Sequence, residues 1–399
     1  CDSAPGAGDG SCDACAITAG ITSDDEMFVL LGATLLGYEA EMSPPSHPTA
    51  WFMSCPALAS LLILGSQHAH QYTTSTATNA SRAHSARRPW EPPDYRQDRG
   101  PRQRSLAVIQ GVRDHILHVE LDLNSLTAIS PTHLAAAVPE PEWRERILTG
   151  MTILALMDGK PTPERLEVLA TTASVLGLAT SPENTYRQLL EEKFLRIRLD
   201  VARRSFIPEA IKGYVGSQGL SGATELVETL LGIEDKTLAA RYHTLDDYPE
   251  GTFGRALADF VVRNRFAYPG EVGGPPAPLM RHDCCHVLGG YGTTAAEECA
   301  VLSFQAGFEK ADPFFVILFG LAQFELGVRV SPFVPATSNQ ADPISMLAAL
   351  EHGTQVNRDL IGDPAWDPWE HFAEPIDTLR AQLNILPRGH EPQYIEFND

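Results

Sequence analysis

The sequence predicts an all-α protein: a helical bundle domain, then an all-helical metal-binding domain, behind a largely irregular N-terminal extension. Three observations predict it. From about residue 131 onward, apolar residues recur at helical spacing. Pro repeatedly follows Ser, Thr or Asp by one position, the pairing that starts helices. Period-two alternation is nearly absent, with one weak strand signal at Val119, Leu121 and Leu123.

Residues 1–105 read as a low-complexity, disordered extension: Gly and Ser first, a Thr/Ser/Ala/His tract at 67–85, then an Arg/Pro run. A linker is expected over 106–130. Pro141 and Glu142 then open a helix with Trp143, Ile147, Met151 and Leu154 in one stripe, stopped by Asp158-Gly159. Thr162-Pro163-Glu164 opens the next, with Leu166, Leu169, Ala173 and Leu176 inward and Gly177 as C-cap. Ser181-Pro182-Glu183 opens a third, with Leu189, Leu190, Phe194 and Ile197 inward. Three capped amphipathic helices joined by short turns make a bundle over 131–210. Asp158 reads there as a helix stop and Glu164 as a helix-dipole partner.

Asp312-Pro313 and Asp342-Pro343 start two further helices. Between them the run from Phe314 to Leu326 is apolar nearly all round, so it is either central core or the lining of a greasy ligand channel. The glycine-rich stretch 270–276 holds no Lys and follows no strand, which makes it a loop and not a phosphate cradle.

Composition bounds the function. The chain has 399 residues, enough for two domains, and its net charge is −21. Residues 1–81 carry eight acids and no Lys or Arg, while the Arg-rich run at 82–104 is net positive. An acidic body repels nucleic acid, and the Arg run is too rich in Pro and Gly to be a recognition helix. Seven Cys are too few and too unevenly placed for a disulfide scaffold, and the Cys12/Cys15 pair has no second pair to complete a zinc or redox site. The apolar stretches 27–36 and 50–65 are shorter than a bilayer span. No spanning helix is expected, and the chain is placed in the cytoplasm. Because it begins at Cys1 and not Met, a targeting segment cannot be judged.

The chemistry concentrates at Arg281-His282-Asp283-Cys284-Cys285-His286, with Glu298 twelve positions on. On a helix, His282 and His286 lie one turn apart on one face, and both imidazoles reach one ion. Asp283 lies about 100° round the turn, as a third ligand or as a partner that orients a ligating His. Gly289 and Gly290 end that helix, and Thr294-Ala295-Ala296-Glu297 reads as a capping box that opens the next. Glu297 is then a cap, and Glu298 comes level with His286 across a tight hairpin. His282, Asp283, His286 and Glu298 form the candidate cage for a divalent metal. These donors suit zinc, iron or manganese. Cys284 and Cys285 are expected to pack as thiols.

The same residues carry a resemblance. HDxxH with Glu twelve residues later resembles the signature of the Coq-four family of coenzyme Q (ubiquinone) biosynthesis. The stretch YPEGTFGRAL at 248–257 resembles that family's LPEGTFGRAY block. WDPWE at 366–370 and EPIDTLR at 374–380 resemble its WE…EPLEELR ending. The resemblance covers a domain at 211–390, departing at the Cys pair, the 290–292 turn and Arg281. It implies an all-helical domain, zinc as the usual metal, and a metal role for His282, Asp283, His286 and Glu298. It also implies a polyprenylated aromatic quinone precursor as substrate, processed by oxidative decarboxylation. Peripheral association with a membrane surface and contact with other quinone-biosynthesis proteins follow from it too. The competing class is a non-catalytic, metal-stabilised scaffold that holds prenyl lipids. A weaker likeness, about 60 residues long within the 131–210 bundle, centres on ILTGMTILALMDGKPTPERLEVLATTASVLGL at 147–178, which resembles the TerB-like helical domain of tellurite resistance, where acidic residues near the turn can bind metal.

Overall fold

The computed structural model describes residues 101–118, 129–178, 181–204, 206–218, 234–310, 312–331 and 334–388. Among these there are fourteen α-helices and no strand, so the all-α expectation holds. Residues 1–100, the Cys12/Cys15 pair and the strand signal at Val119, Leu121 and Leu123 lie outside the described residues.

The helices are α1 (Pro101–Val112), α2 (Pro131–Ala137), α3 (Pro141–Met157), α4 (Pro163–Leu176), α5 (Ser181–Leu190), α6 (Phe194–Arg204) and α7 (Phe206–Gln218). After these come α8 (Lys236–His243), α9 (Phe253–Asn264), α10 (Met280–Gly289), α11 (Ala295–Phe308), α12 (Pro313–Gly320), α13 (Pro343–Thr354) and α14 (Ile376–Gln382). Short polar side chains start many of them. Thr162 accepts from the Arg165 amide, Asp312 from Phe314 and Asp342 from Ser345, each one residue before a Pro at N1. Gly177 closes α4 at φ 73°.

Two expectations are corrected. Residues 101–105, expected as the end of the disordered extension, and 106–112, expected as linker, belong to α1: Val108, Ile109 and Val112 are buried, and a π-turn at Arg113–Leu117 extends the helix. Arg104 holds it to Glu325 at 2.5 Å. The apolar cluster of α1 was hidden by the Arg- and Pro-rich text in front of it. The third bundle helix is also two helices. The chain breaks after α5, with Glu192 at φ 54°, and α6 restarts at Phe194. That break rotates the register, so Phe194, expected inward, is 36% exposed, while Ile197 and Val201 are buried.

Asp158 does more than stop α3. Its carboxylate pairs with the buried Arg165 guanidinium, so the turn after α3 is tied to the first turn of α4. Glu164 lies in that first turn, as a dipole partner should.

The second half is built around α11, which packs against α13, α12 and α10. Its crossing with α13 is unusually close. A Cβ on Gly353 would lie 1.9 Å from the Phe304 carbonyl oxygen, and one on Gly307 would lie 2.5 Å from the Gly353 carbonyl carbon. Only hydrogen fits between these two backbones. α1 closes the far side of α13, with Gly111 against Leu347. The buried residues of the bundle and of this half form one continuous apolar cluster. Among the described residues no helix is long and apolar enough to cross a membrane.

Candidate metal centre

α10 and α11 form the hairpin that the sequence predicts. Gly290, at φ 75°, ends α10, and its amide bonds back to the His286 carbonyl at 2.9 Å. Thr294 caps α11 by accepting from the Glu297 amide. Glu297 acts as a cap as read, but its return bond goes to the Gly292 amide at 3.0 Å, and Arg388 neutralises it at 2.8 Å. Two further arginines hold α10 in place. Arg281, 2% exposed, donates to the carbonyls of Ile361, Asp363 and Trp366. Arg380 donates to the carbonyls of Val287 and Leu288, which the end of the helix leaves open.

With the hairpin fixed, three donor atoms converge. His286 Nε2 lies 3.1 Å from His282 Nε2. Glu298 Oε2 lies 3.3 Å from His282 Nε2 and 3.5 Å from His286 Nε2. Such a nearly equilateral triangle of two imidazole nitrogens and one carboxylate oxygen can hold a metal ion. The structure leaves Asp283 outside it. Asp283, about 100° further round α10, lines the adjoining cavity beside His282 and Glu298.

The surroundings prepare the donors. The amide oxygen of Gln305, fully buried on α11, accepts a hydrogen bond from His282 Nδ1. A proton on Nδ1 leaves the Nε2 lone pair facing the centre, as a metal-ligating His requires. His286 is held by stacking, its ring 5.3 Å from that of Phe260 on α9. Gln305 was missed in the sequence. Its signal was a lone amide in the apolar run of α11, two turns beyond Glu298 on the same face.

The charges fit the same picture. Burial works against the Glu298 carboxylate, yet His286 and His282 hold it well below the ordinary carboxylate range. For His282, burial lowers the pKa, but the Glu298 hydrogen bond and charge raise it more. Burial pushes Asp283 up to about 6. It also pushes the thiols of Cys284, Cys285 and Cys299 up, so these stay protonated and pack instead of ligating.

A cavity of about 460 Å³ begins at this triangle. His282, Asp283 and Glu298 line its polar end, and its walls include Ile211, Leu302 and Phe324. The apolar run at 314–326 belongs to the core, and two of its residues also line the cavity. It is buried throughout α12 and the π-turn Leu321–Glu325, yet Phe319 and Phe324 face the cavity. The glycine-rich loop contributes Gly273, Pro275 and Pro276 to the lining. Asp158 and Glu164, the acidic pair at the turn between α3 and α4, are not in a group of metal-competent donors among the described residues.

The chain matches no model of a known protein family. It also matches no curated protein sequence.

Proposed function

We propose that this protein binds one divalent metal, zinc first among the candidates, and processes a prenylated aromatic quinone precursor in the manner of the Coq-four family. The observation that carries this reading is a two-His, one-carboxylate triangle opening onto an apolar cavity. The triangle's edges of 3.1, 3.3 and 3.5 Å fit a tetrahedral ion, whose donors lie about 3.3 Å apart when the metal–donor bonds are about 2.0 Å. Three protein donors leave a fourth position for a substrate oxygen. Bound there, the ion supplies Lewis-acid stabilisation of a carboxylate or phenolate.

The protein's own residues do the rest. His282, oriented by Gln305, and Glu298 face the ligand's polar end, while Ile211, Leu302, Phe319 and Phe324 exclude water from its prenyl tail. The overall change replaces a ring carboxyl by a hydroxyl. The carboxyl leaves as CO2, one atom of dioxygen joins the ring carbon, and the other leaves as water with two electrons and two protons from an external donor. The substrate is drawn from a membrane surface, with other quinone-biosynthesis proteins as partners. The motif blocks at 248–257, 282–298 and 366–380 support this family reading.

Mass spectrometry of the purified protein should find one divalent ion per chain, lost in His286→Ala. Deleting the gene in its host should cause a carboxylated quinone precursor to accumulate, and Glu298→Ala should fail to rescue. Substoichiometric metal that His286→Ala does not change would remove the metal reading. Normal quinone levels without the gene would shift the assignment to a prenyl-lipid scaffold that does not turn over its ligand.

A further inference from the structure

The opening of the cavity holds one arginine whose placement the packing does not explain. α9 ends in a Schellman turn, with the Arg265 amide on the Val262 carbonyl and the Phe266 amide on the Val261 carbonyl. In that turn the residue after the helix takes left-handed backbone, which glycine adopts without steric cost. Here it is Arg265, at φ 59°. The conformation is held in place by Phe266, whose ring packs edge-on against Phe260 at 5.9 Å, while Phe260 stacks on His286. Arg265 is thus linked to the metal-side imidazole through two ring contacts.

In a chain of net charge −21, Arg255 pairs with Asp259, Arg281 with three carbonyls, Arg358 with Asp363 and Arg388 with Glu297. Arg263 is exposed beside Arg265, but only Arg265 of the two lines the cavity. The Arg265 guanidinium makes no hydrogen bond or ion pair among the described residues. It is exposed to solvent, yet it lines the cavity. His282 apart, it is the one basic side chain among the described residues that line that space.

We propose that Arg265 determines specificity by recognising an oxyanion on the ligand at the cavity mouth. The preferred ligand is then an apolar molecule carrying a carboxylate or phosphate, read there by a bidentate guanidinium. This rests on the reading of the cavity as the ligand site. A glycine would be easier for the backbone at this position but carries no charge.

The test is calorimetric titration of the full-length, metal-containing protein with dodecanoate, dodecyl phosphate and dodecanol. The anions should bind roughly tenfold to a hundredfold more tightly than the alcohol, and the tighter anion identifies the source chemistry. Arg265→Gln should bring the three within roughly twofold of each other, with dodecanol unchanged. Arg265→Gly should lose the same preference while its Tm stays level or rises by roughly 1–4 °C. An anion preference that persists in Arg265→Gln would overturn the proposal, because the anion would then sit elsewhere. So would equal weakening of all three ligands, which would make Arg265 a packing residue. An Arg265-dependent preference in a protein with no quinone phenotype would remove the biosynthetic role and leave this site standing.

Discussion

His282 and Gln305 meet through one hydrogen bond, from Nδ1 of the imidazole to the amide oxygen, and that bond decides which nitrogen faces His286. The bond links the two helices of the hairpin across the centre. A carboxylate in place of Gln305 would accept the same bond and add charge, whereas an apolar side chain would leave Nδ1 buried without an acceptor.

Gln305→Leu should therefore weaken metal binding by about tenfold to a hundredfold, and Gln305→Glu should keep it. Competition against a chromogenic chelator measures both. Unchanged affinity in Gln305→Leu would mean that the hairpin alone orients His282.

This relationship also marks what a sequence can reveal. His282, His286 and Glu298 were legible because helix geometry and two capping signals set their relative positions within seventeen residues. Asp283 could be placed only as far as its rotation of about 100°, which left a ligand and an orienting partner equally open. Gln305 offers only a lone amide on the Glu298 face, and the place of Phe260 beside His286 is set by tertiary packing that no local pattern displays. α1 was lost for a compositional reason, because its buried Val108, Ile109 and Val112 follow directly on an Arg/Pro run. The break at Glu192 carries no Gly or Pro. The apolar stripe therefore read straight across it.

α11, which carries Glu298 and Gln305, crosses α13 at Gly307 and Gly353. Because a Cβ on Gly353 would overlap the Phe304 carbonyl oxygen, Gly353→Ala forces the helices apart. A loss of about 3 kcal/mol or more is expected in urea denaturation. Gly292→Ala, whose Cβ meets nothing closer than 3.5 Å, should stay within about 0.5 kcal/mol of the native protein. Similar stabilities for the two variants would contradict the close approach.

His352 gives a pH dependence with a definite sign. Its Nε2 donates to the Leu386 carbonyl, and its Nδ1 accepts from the Tyr291 hydroxyl, so the folded state holds the ring neutral. Burial pushes its pKa down from 6.5 to about 4, against the Leu386 bond. Above the unfolded value both states are neutral and the contribution is complete. As the pH falls from 6.5 toward 4, the unfolded chain takes up the proton first, and stability is lost. A loss on the order of 2–3 kcal/mol is expected across that window. His352→Gln should flatten this part of the profile of urea midpoint against pH, and an unaltered profile would show that His352 is not its source.

The metal and the cavity should be separable, because the donors sit on α10 and α11 while part of the cavity mouth is the irregular segment after α9. Ala267 lies there, half-buried and lining the cavity, with Arg265 and Phe266 just before it. An indole at this position would occupy space otherwise open to a ligand, on a segment that carries none of His282, His286 and Glu298. Ala267→Trp should keep one metal ion per chain and weaken dodecanoate by about tenfold or more. Calorimetry alongside metal analysis reads the two effects independently. Retention of both would place the ligand outside this cavity. Loss of both would show that the segment after α9 holds the metal hairpin together, through the Phe266–Phe260–His286 stack.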